Sequence, residues 1–469
     1  MRIARSLFGA WATMALLGVC LSGWADQSVT PVTAHIADGS LLGTQVDDVQ
    51  AFKGIPFAAA PVGALRWRAP QPVAAWRGVR PAQTLASDCM QQPMDSRATP
   101  GGTSPAEDCL YLNLWRPTTA KAPLPVLVWI YGGGFVNGGA SASVYDGAAL
   151  ARQGILFLTF NYRVGRFGFF LHPALEKAAP AGEAVGNYGF MDQLAALRWV
   201  QRNIAAFGGD PHNVTLIGES AGGASVHALL TSPQARGLFA RAVIQSGGDG
   251  RILFDPPAVA RHAALAFSRG LGIADTDPNT LDKLRGLTAQ QVTDGLNMRA
   301  LFAPAGTVRT FSMPITDGQL AVDVPQAYHH GDFAHVPVML GATSADLFGA
   351  DGAMLAGARE VAGALAAQGV PTWYYRFGYL AEAQRGSQRP GALHASEIPY
   401  FFDNLALVYG ERLTARDRQA GQTASGYLLN FVRSGDPNGA GLPAWPVFQT
   451  ERPARQELDM DGGAHTVSD

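Results

Sequence analysis

Ser220 stands between Gly218 and Gly222, where the apolar run at residues 214–217 gives way to a helical pattern. A strand that turns sharply into a helix forces the residue at the turn into a strained backbone conformation. The residues two positions before and after it must be small, so that strand and helix can approach each other. This turn would place the Ser220 hydroxyl at a helix N-terminus, where negative charge is stabilised. We therefore predict that Ser220 is a nucleophile rather than part of an ordinary turn.

A serine becomes a good nucleophile only beside a base, which an acid in turn orients. Where the serine lies on a strand-to-helix turn of this kind, the chain order is serine, acid, histidine. Of the ten histidines, His394 and His465 lie well past the candidate acids. His465 is in a polar tail with no further strand predicted, which favours a solvated role. His394 lies in a loop after a predicted strand at residues 372–377, and we predict that it is the base.

The acid should follow another strand of the same sheet. Asp346 comes five residues after Gly341, just beyond the apolar run VPVMLGA. Asp351 is the alternative acid, further along the chain and flanked by small residues. We predict that Asp346 orients His394.

The glycine-rich stretch WIYGGGFVNGG follows an apolar run and contains three consecutive glycines. Without Cβ atoms, such a backbone can turn its N–H groups toward a substrate. Acyl transfer needs donors of this kind, because its tetrahedral intermediate carries an oxyanion. A phosphate-binding loop would instead end in G-K-[ST], which is absent here. We predict that the backbone N–H groups of Gly133, Gly134 and Ala221 form an oxyanion hole.

Short apolar runs that would position these residues alternate with helical patterns. Continuous apolar strands with helices between them indicate a mainly parallel sheet covered by helices on both faces, an α/β fold. No repeat, linker or domain boundary is visible, so we predict one domain over residues 26–469. The stretches predicted as strands are LPVLVWIYGG, where the strand enters a glycine loop, ILFLTFNYRV, VTLIG, ARAVIQSGG, VPVMLGA and TWYYRFGY.

The N-terminus has the pattern of a secretory signal peptide. Arg2 and Arg5 precede an apolar stretch at residues 7–21, and small residues follow at Gly23 and Ala25. We predict cleavage after Ala25 and a secreted or periplasmic location. The alternative is a retained anchor, although the stretch is shorter than the roughly 20 residues that a membrane span needs. No later segment is long and apolar enough to span a membrane.

Composition narrows the classes of partner. The 469 residues carry 35 basic and 37 acidic side chains, a net charge of −2, and no basic block, which argues against nucleic-acid binding.

Without the signal peptide, two cysteines remain, Cys89 and Cys109. In an exported chain they suggest one disulfide, with two free thiols as the alternative. They lack the further ligands of a metal site, and we predict no metal or organic cofactor.

The chain resembles the type-B carboxylesterase family, which includes cholinesterases and bacterial p-nitrobenzyl-type esterases. The resemblance covers nearly all of the chain after the signal peptide and rests on blocks in the family order. It implies the α/β-hydrolase fold, hydrolysis of small carboxylic esters, the roles given above for Ser220, Asp346 and His394, and pairing of Cys89 with Cys109. The blocks are FKGIPFAAAPVGALRWRAP, EDCLYLNLWRP, VWIYGGGF, NYRVGRFGF, GNYGFMDQLAALRWVQRNIAAFGGDPHNVTLIGESAGG and SGDPN.

Three features depart from the family pattern. The acid is often glutamate in the family, whereas the shorter Asp346 requires its loop to lie closer to His394. Only 47 residues lie between positions 346 and 394, fewer than in many relatives, so we expect a more open entrance. The loop between Cys89 and Cys109 contains no tryptophan, which cholinesterases use to hold a quaternary ammonium by cation–π attraction. This absence argues against choline esters as substrates.

The sequence predicts a serine carboxylesterase that acts through an acyl-enzyme on Ser220. One alternative is a non-catalytic adhesion module on the same fold, as in the neuroligins, although those lack the nucleophile. Another is a hydrolase of amides, carbamates or lipids. We expect activity to fall as pH drops through the ordinary histidine pKa of about 6.5. The aromatic residues of WIYGGGF and IPYFFDN could line an apolar pocket or pack in the core. The natural ester, its acyl-chain length and the oligomeric state stay open.

Overall fold

The computed structural model describes residues 29–468 apart from 94–101, 121–122, 252–253, 305, 348, 350–351 and 387–389. The predicted signal peptide and the alternative acid Asp351 both lie outside the described residues. Within the described ranges, no helix is long and apolar enough to cross a membrane.

The strands of the described residues join in a single sheet. Across it they run in the order β1-β2-β3-β5-β7-β6-β8-β9-β10-β11-β12-β13, with β4 paired to β2. Their bounds are β1 Thr30–Ile36, β2 Gly39–Val46, β3 Val49–Pro56, β4 Val79–Pro81, β5 Tyr111–Pro117, β6 Leu124–Ile130, β7 Leu156–Phe160, β8 Gly209–Glu219, β9 Arg241–Gln245, β10 Val338–Thr343, β11 Thr372–Phe377, β12 Ala454–Leu458 and β13 Ala464–Ser468.

The centre of the sheet is parallel, from β7 through β6, β8, β9, β10 and β11 to β12. These central strands include all six predicted ones, and most of their residues are fully buried because helices cover the sheet. The predicted α/β class with a mainly parallel sheet is confirmed.

The flanks of the sheet were not predicted; they are antiparallel apart from the short strand β4, which pairs parallel to β2. Strands β1 and β2 are half exposed and rich in polar residues, so they lack the continuous apolar pattern of the centre. At the other edge, His465 lies in β13, which pairs antiparallel with β12. The expectation of no strand around His465 was therefore wrong, because an exposed edge strand carries too few apolar residues to show in the pattern.

Helices pack against the central strands. Helix α5 contacts β8 and β9, α10 contacts β10 and β11, and α13 contacts β6 and β8. The described helices are α1 Ala148–Arg152, α2 Gly165–Gly168, α3 Pro173–Ala178, α4 Tyr188–Asn203, α5 Ala221–Thr231, α6 Pro257–Gly270, α7 Thr280–Arg285, α8 Ala289–Thr293, α9 Val324–His330, α10 Ala353–Ala367, α11 Ile398–Phe401, α12 Leu405–Tyr409 and α13 Ala415–Ser434.

Cys89 and Cys109 form a disulfide, and both residues are buried. The disulfide prediction is confirmed, and the alternative of two free thiols is wrong. The bond closes a loop whose described ends lie beside the glycine-rich stretch after β6, where the buried Ser141 donates its N–H to Asp88.

The aromatic residues that the sequence left open between pocket wall and core belong to the core. Tyr131 stacks on Tyr162 with ring centroids 4.4 Å apart, and Phe135 packs edge-on against Phe169. Phe402 packs edge-on against Trp129. All of these rings are essentially inaccessible to solvent.

Candidate active site

Ser220 occupies the turn between β8, which ends at Glu219, and α5, which begins at Ala221. Its backbone has φ 58° and ψ −120°, in a region that non-glycine residues rarely adopt. Hydrogen bonds hold this conformation: the Ser220 N–H donates to the Gln245 carbonyl at 2.9 Å. The Ser220 carbonyl accepts from the Ala224 N–H, also at 2.9 Å. The turn has the strained geometry that the sequence pattern requires.

The two glycines around Ser220 have no room for a side chain. A Cβ atom on Gly222 would lie 1.9 Å from the Ile130 carbonyl oxygen at the end of β6. A Cβ atom on Gly218 would lie 2.3 Å from the Gly222 carbonyl oxygen. The helix therefore starts directly against the neighbouring strand, and Ser220 is held at the carboxyl end of the parallel sheet.

His394 and Asp346 come together from two loops that follow neighbouring strands, β11 and β10. The imidazole Nδ1 lies 2.6 Å from Asp346 Oδ1, the distance of a charge-assisted hydrogen bond. An isolated backbone bridge between Ala345 and Leu393 brings the two loops side by side. The shorter aspartate therefore reaches the histidine because its loop is paired directly with the histidine loop.

Asp346 is fixed by donors on both of its oxygens. Its Oδ2 accepts from the Ser246 hydroxyl at 2.7 Å, and from the Thr343 hydroxyl and N–H at 2.8 and 3.0 Å. Its Oδ1 also accepts from the Leu347 N–H at 2.7 Å. Burial alone would raise the pKa of Asp346, but the hydrogen bonds, that from His394 foremost, outweigh it and lower the pKa to about 2. The carboxylate is therefore ionised and rigidly held.

The other ring nitrogen of His394 faces a second carboxylate. Nε2 lies 3.2 Å from Oε1 of Glu219, the residue before Ser220. Within the described part of the chain, no hydrogen bond joins the Ser220 hydroxyl to His394. Burial lowers the pKa of His394, but the negative charges of Glu219 and Asp346 outweigh it and raise the pKa to about 9. The structure thus brings His394 against Asp346 and against the residue adjoining Ser220.

A third buried carboxylate, Glu397, completes this cluster. The Ser246 hydroxyl lies 3.4 Å from Glu397 Oε1 and so stands between Glu397 and Asp346. Burial, reinforced by the neighbouring carboxylates, raises the pKa of Glu397 well above its usual range. Burial likewise raises the pKa of Glu219 to about 7. Both glutamates therefore hold their protons to higher pH than ordinary glutamates do.

Glu219, Glu397 and Ser246 were missed by the sequence analysis. Glu219 lies inside the G-x-S-x-G pattern itself, and Glu397 comes three residues after His394. An ionisable side chain at the end of an apolar strand is a signal that could have singled out Glu219. Ser246 gave no such signal, because serine beside glycine is ordinary in a loop.

The glycine loop after β6 lies against Ser220. A Cβ atom on Gly132 would lie 2.9 Å from the Cβ of Ser220. Gly133 and Gly134 have φ values of 115° and 60°, in the range that favours glycine. The Gly133 carbonyl accepts from the N–H groups of Val136 and Asn137, which closes the loop as a turn. Within the described residues, the N–H groups of Gly133 and Gly134 have no acceptor.

Ala221 is the first residue of α5, so its N–H has no acceptor inside the helix. The turn Met298–Phe302 lies against the glycine loop, since the Met298 N–H donates to Asn137 Oδ1. A Cβ atom on Gly134 would lie 2.4 Å from Leu301 Cδ1, so Leu301 covers this glycine.

Among the described residues, no group of three or more histidine, cysteine or carboxylate side chains could hold a metal ion.

The sheet, the strained serine turn and the loops that follow β10 and β11 define an α/β-hydrolase. The model of the carboxylesterase family matches residues 30–350 and 346–466, and the chain belongs to this family. It is 36% identical to fumonisin B1 esterase of Sphingopyxis macrogoltabida, over 94% of this chain and 88% of that protein. It is 32% identical to para-nitrobenzyl esterase of Bacillus subtilis (strain 168), over 90% of this chain and 93% of that protein.

Comparison with solved structures supports the same family. A p-nitrobenzyl (PNB) esterase structure superposes with a TM-score of 0.82 at 29% identity, covering 94% of this chain and 98% of that one. A second PNB esterase structure gives a TM-score of 0.80 at 30% identity. The α/β-hydrolase fold is confirmed, and the protein is a carboxylic ester hydrolase.

Proposed function

We propose that the protein hydrolyses carboxylic esters through an acyl-enzyme on Ser220, with His394 as base, Asp346 as the acid that orients it, and the N–H groups of Gly133, Gly134 and Ala221 as oxyanion donors. The observation that carries this proposal is the 2.6 Å contact between His394 Nδ1 and Asp346 Oδ1, made beside the strained serine turn. It holds the imidazole with Nε2 directed toward the end of β8.

In the proposed reaction, the Ser220 oxygen attacks the ester carbonyl while His394 Nε2 takes the hydroxyl proton. The carbonyl oxygen becomes an oxyanion, which the free N–H groups of the glycine loop and of α5 stabilise. The alcohol leaves with the proton from His394. Water then attacks the acyl-enzyme with the same base, and Ser220 is regenerated.

Asp346 has two tasks in this scheme. It fixes the tautomer in which Nδ1 carries a proton, so that Nε2 is free to accept one. It also stabilises the imidazolium that forms when Ser220 attacks. Its four other hydrogen bonds keep it in place while the charge on the ring changes.

We propose that the substrate is a small ester rather than a macromolecule, and that the protein works outside the cytoplasm. The buried Cys89–Cys109 disulfide supports an oxidising compartment, and the predicted signal peptide with cleavage after Ala25 is consistent with it. We further propose that residues 26–469 form a single domain, since strands from both ends of the described chain join one sheet. The names of two relatives suggest fumonisin and p-nitrobenzyl esters as test substrates.

The test is the release of p-nitrophenol from p-nitrophenyl acetate in a stopped-flow instrument. The wild type should show a burst equal to the enzyme concentration, because the acyl-enzyme forms and liberates the phenol faster than water hydrolyses it. Ser220→Ala should abolish both the burst and the turnover, whereas the control Ser434→Ala, at the exposed end of α13, should leave both intact. Turnover by Ser220→Ala at the wild-type rate would overturn the proposal. A panel of ester, amide and carbamate substrates then decides the bond class.

A further inference from the structure

Two side-chain amides, Asn137 and Gln91, link the glycine loop to the disulfide loop. The Asn137 amide donates to Gln91 Oε1 at 3.1 Å and to the Gln92 carbonyl at 2.7 Å. Gln91 in turn accepts from the Gly138 N–H at 2.9 Å and donates to the Gly138 carbonyl at 2.5 Å. Gln91 therefore pairs with the Gly138 backbone much as a neighbouring strand would. We call these two residues the amide clamp.

The clamp also reaches the turn Met298–Phe302 and the disulfide. The remaining polar atom of Asn137, Oδ1, accepts from the Met298 N–H at 2.8 Å. The Gln91 amide additionally donates to the carbonyl of Cys89 at 3.0 Å. Asn137 is only 6% exposed, and each of its side-chain polar atoms is used. Three separate segments, near residues 91, 137 and 298, are thus joined at one buried amide.

The clamp lies directly behind the proposed oxyanion donors. A Cβ atom on Gly133 would lie 2.3 Å from the Asn137 carbonyl oxygen, and one on Gly138 would lie 2.4 Å from the Gly132 carbonyl oxygen. The backbone at 137 and 138 is therefore the surface on which residues 132 and 133 rest. Gly132 is in turn packed against Ser220. A shift at the clamp must move the donors relative to the serine.

We propose that Asn137 is a positioning residue for the reaction: with Gln91 it anchors the glycine loop to the disulfide loop and to the turn Met298–Phe302, and so holds the Gly133 and Gly134 N–H groups at the distance that the oxyanion requires. This inference rests on the proposed roles of those two N–H groups. Oxyanion donors act only when they are held in place before the charge forms. Glycines cannot hold themselves, because their backbone is the most permissive of all residues.

The test compares Asn137→Ala with Asn203→Ala, a matched loss of a buried amide outside the site. Asn203 is 2% exposed, accepts from the Ala37 N–H, and donates to the Trp199 carbonyl. Both variants should lose similar thermal stability. Asn137→Ala should lower kcat for p-nitrophenyl acetate by about 10- to 100-fold with little change in KM, since a displaced donor weakens transition-state rather than substrate binding. Asn203→Ala should keep the wild-type kcat.

A second readout isolates the oxyanion. An aryl trifluoromethyl ketone adds the Ser220 oxygen to its carbonyl, the serine proton passes to His394, and the adduct keeps an oxyanion. Its affinity should fall in Asn137→Ala by the same factor as kcat. The pH at which activity is half-maximal should not move, because the clamp does not contact His394 or Asp346.

Two further variants, of which Gln91→Met is the gentler, keep the test decisive if Asn137→Ala does not fold. Asn137→Asp retains the acceptor for Met298 but loses both donors to the disulfide loop, and Gln91→Met keeps the length of the side chain without its hydrogen bonds. Each should lower kcat, and combining Gln91→Met with Asn137→Asp should cost less than the product of the two separate losses, since both break one clamp.

Wild-type kcat and ketone affinity in the folded Asn137 and Gln91 variants would overturn the inference, leaving the clamp a purely structural contact. The proposed function is tested separately. If Ser220→Ala is active, the serine mechanism is rejected. If Ser220→Ala is inactive but the clamp variants have wild-type activity, only the positioning role of Asn137 is rejected.

Discussion

Nε2 of His394 lies 3.2 Å from Oε1 of Glu219, while Nδ1 of the same ring lies 2.6 Å from Asp346. A carboxylate therefore stands at each nitrogen of the imidazole. This arrangement favours the protonated ring, which explains why the pKa of His394 is raised to about 9 rather than staying near its ordinary value. The sequence analysis placed the acidic limb of the pH–rate profile at about pH 6.5 by assuming an unperturbed histidine. With the raised pKa of His394, we expect this limb at higher pH.

Glu219→Gln should move the acidic limb of the pH–rate profile to lower pH. The base must be neutral to accept the serine proton, so activity is lost as pH falls through the pKa of His394. Removing the Glu219 charge lowers this pKa, and we expect a shift of about one pH unit or more. The measurement is kcat/KM for p-nitrophenyl acetate from pH 5 to 10, with Glu360→Gln on the exposed side of α10 as the control. An unchanged limb in Glu219→Gln would contradict this account of the raised pKa.

Asp346→Asn should lower kcat by about 10³- to 10⁴-fold, because an amide can hold the imidazole in the wrong tautomer. KM should change far less, since Asp346 is buried behind the histidine. Steady-state kinetics at pH 8 measure both constants. A kcat within ten-fold of the wild type would show that another carboxylate of the cluster can orient His394.

Asp346 should also make stability depend on pH at the acidic end. Its folded-state pKa of about 2 lies below the ordinary 3.8, so its stabilising effect is complete above pH 4 and is lost as pH falls from about 4 to 2. A shift of this size corresponds to about 2 kcal/mol. Urea unfolding of wild type and Asp346→Asn is measured at pH 6 and pH 3, and the difference between their free energies of unfolding should be smaller at pH 3. The same difference at both pH values would mean that the Asp346 side chain stabilises the fold equally when it is protonated.

The double variant Cys89→Ser/Cys109→Ser should be less stable by about 3 kcal/mol, the chain-entropy value for a loop of this length. Thermal unfolding with and without reductant measures the loss. The wild type should respond to reductant, whereas the double variant should not. Equal unfolding temperatures for the wild type in both conditions, with thiol titration showing reduction, would contradict the prediction.

Gly222→Ala and Gly363→Ala should have opposite effects, although both glycines lie in helices. The added methyl at 222 would meet the Ile130 carbonyl at 1.9 Å, so the helix and strand must separate and activity should be lost. At 363, in α10, the methyl meets nothing within 4 Å, and the better helix propensity should stabilise by about 1 kcal/mol with normal activity. Unfolding temperatures and esterase rates of the two variants test whether Gly222→Ala loses activity and whether Gly363→Ala gains stability.

Much of the architecture was predictable because the parallel centre of the sheet is buried on both faces. Burial on both faces leaves continuous apolar runs, and each of the six predicted strands lies in the central sheet. The antiparallel flanks were not predictable from the same signal, because strands such as β1 and β13 are partly exposed and mix polar with apolar residues. The short strand β4 has no apolar pattern at all.

The residues of the candidate site likewise fall into those that the sequence predicted and those that only the structure revealed. The small neighbours of Ser220 are required by a local turn, so they are visible as a spacing, and chain order singled out His394 and Asp346. Glu397 and Ser246 enter the site only because loops after different strands converge at one sheet edge. The amide clamp is equally hidden, since residues 91, 137 and 298 meet through contacts that no local pattern records.

The sequence by itself determined the features that depend on neighbours along the chain: the strained serine turn, the bare glycine loop and the apolar central strands. Only the tertiary structure decided the charges around His394, because electrostatic effects depend on distance through space and on burial. Two carboxylates flanking one imidazole are far apart in the chain, at positions 219 and 346, and become neighbours when parallel strands place their carboxyl ends together.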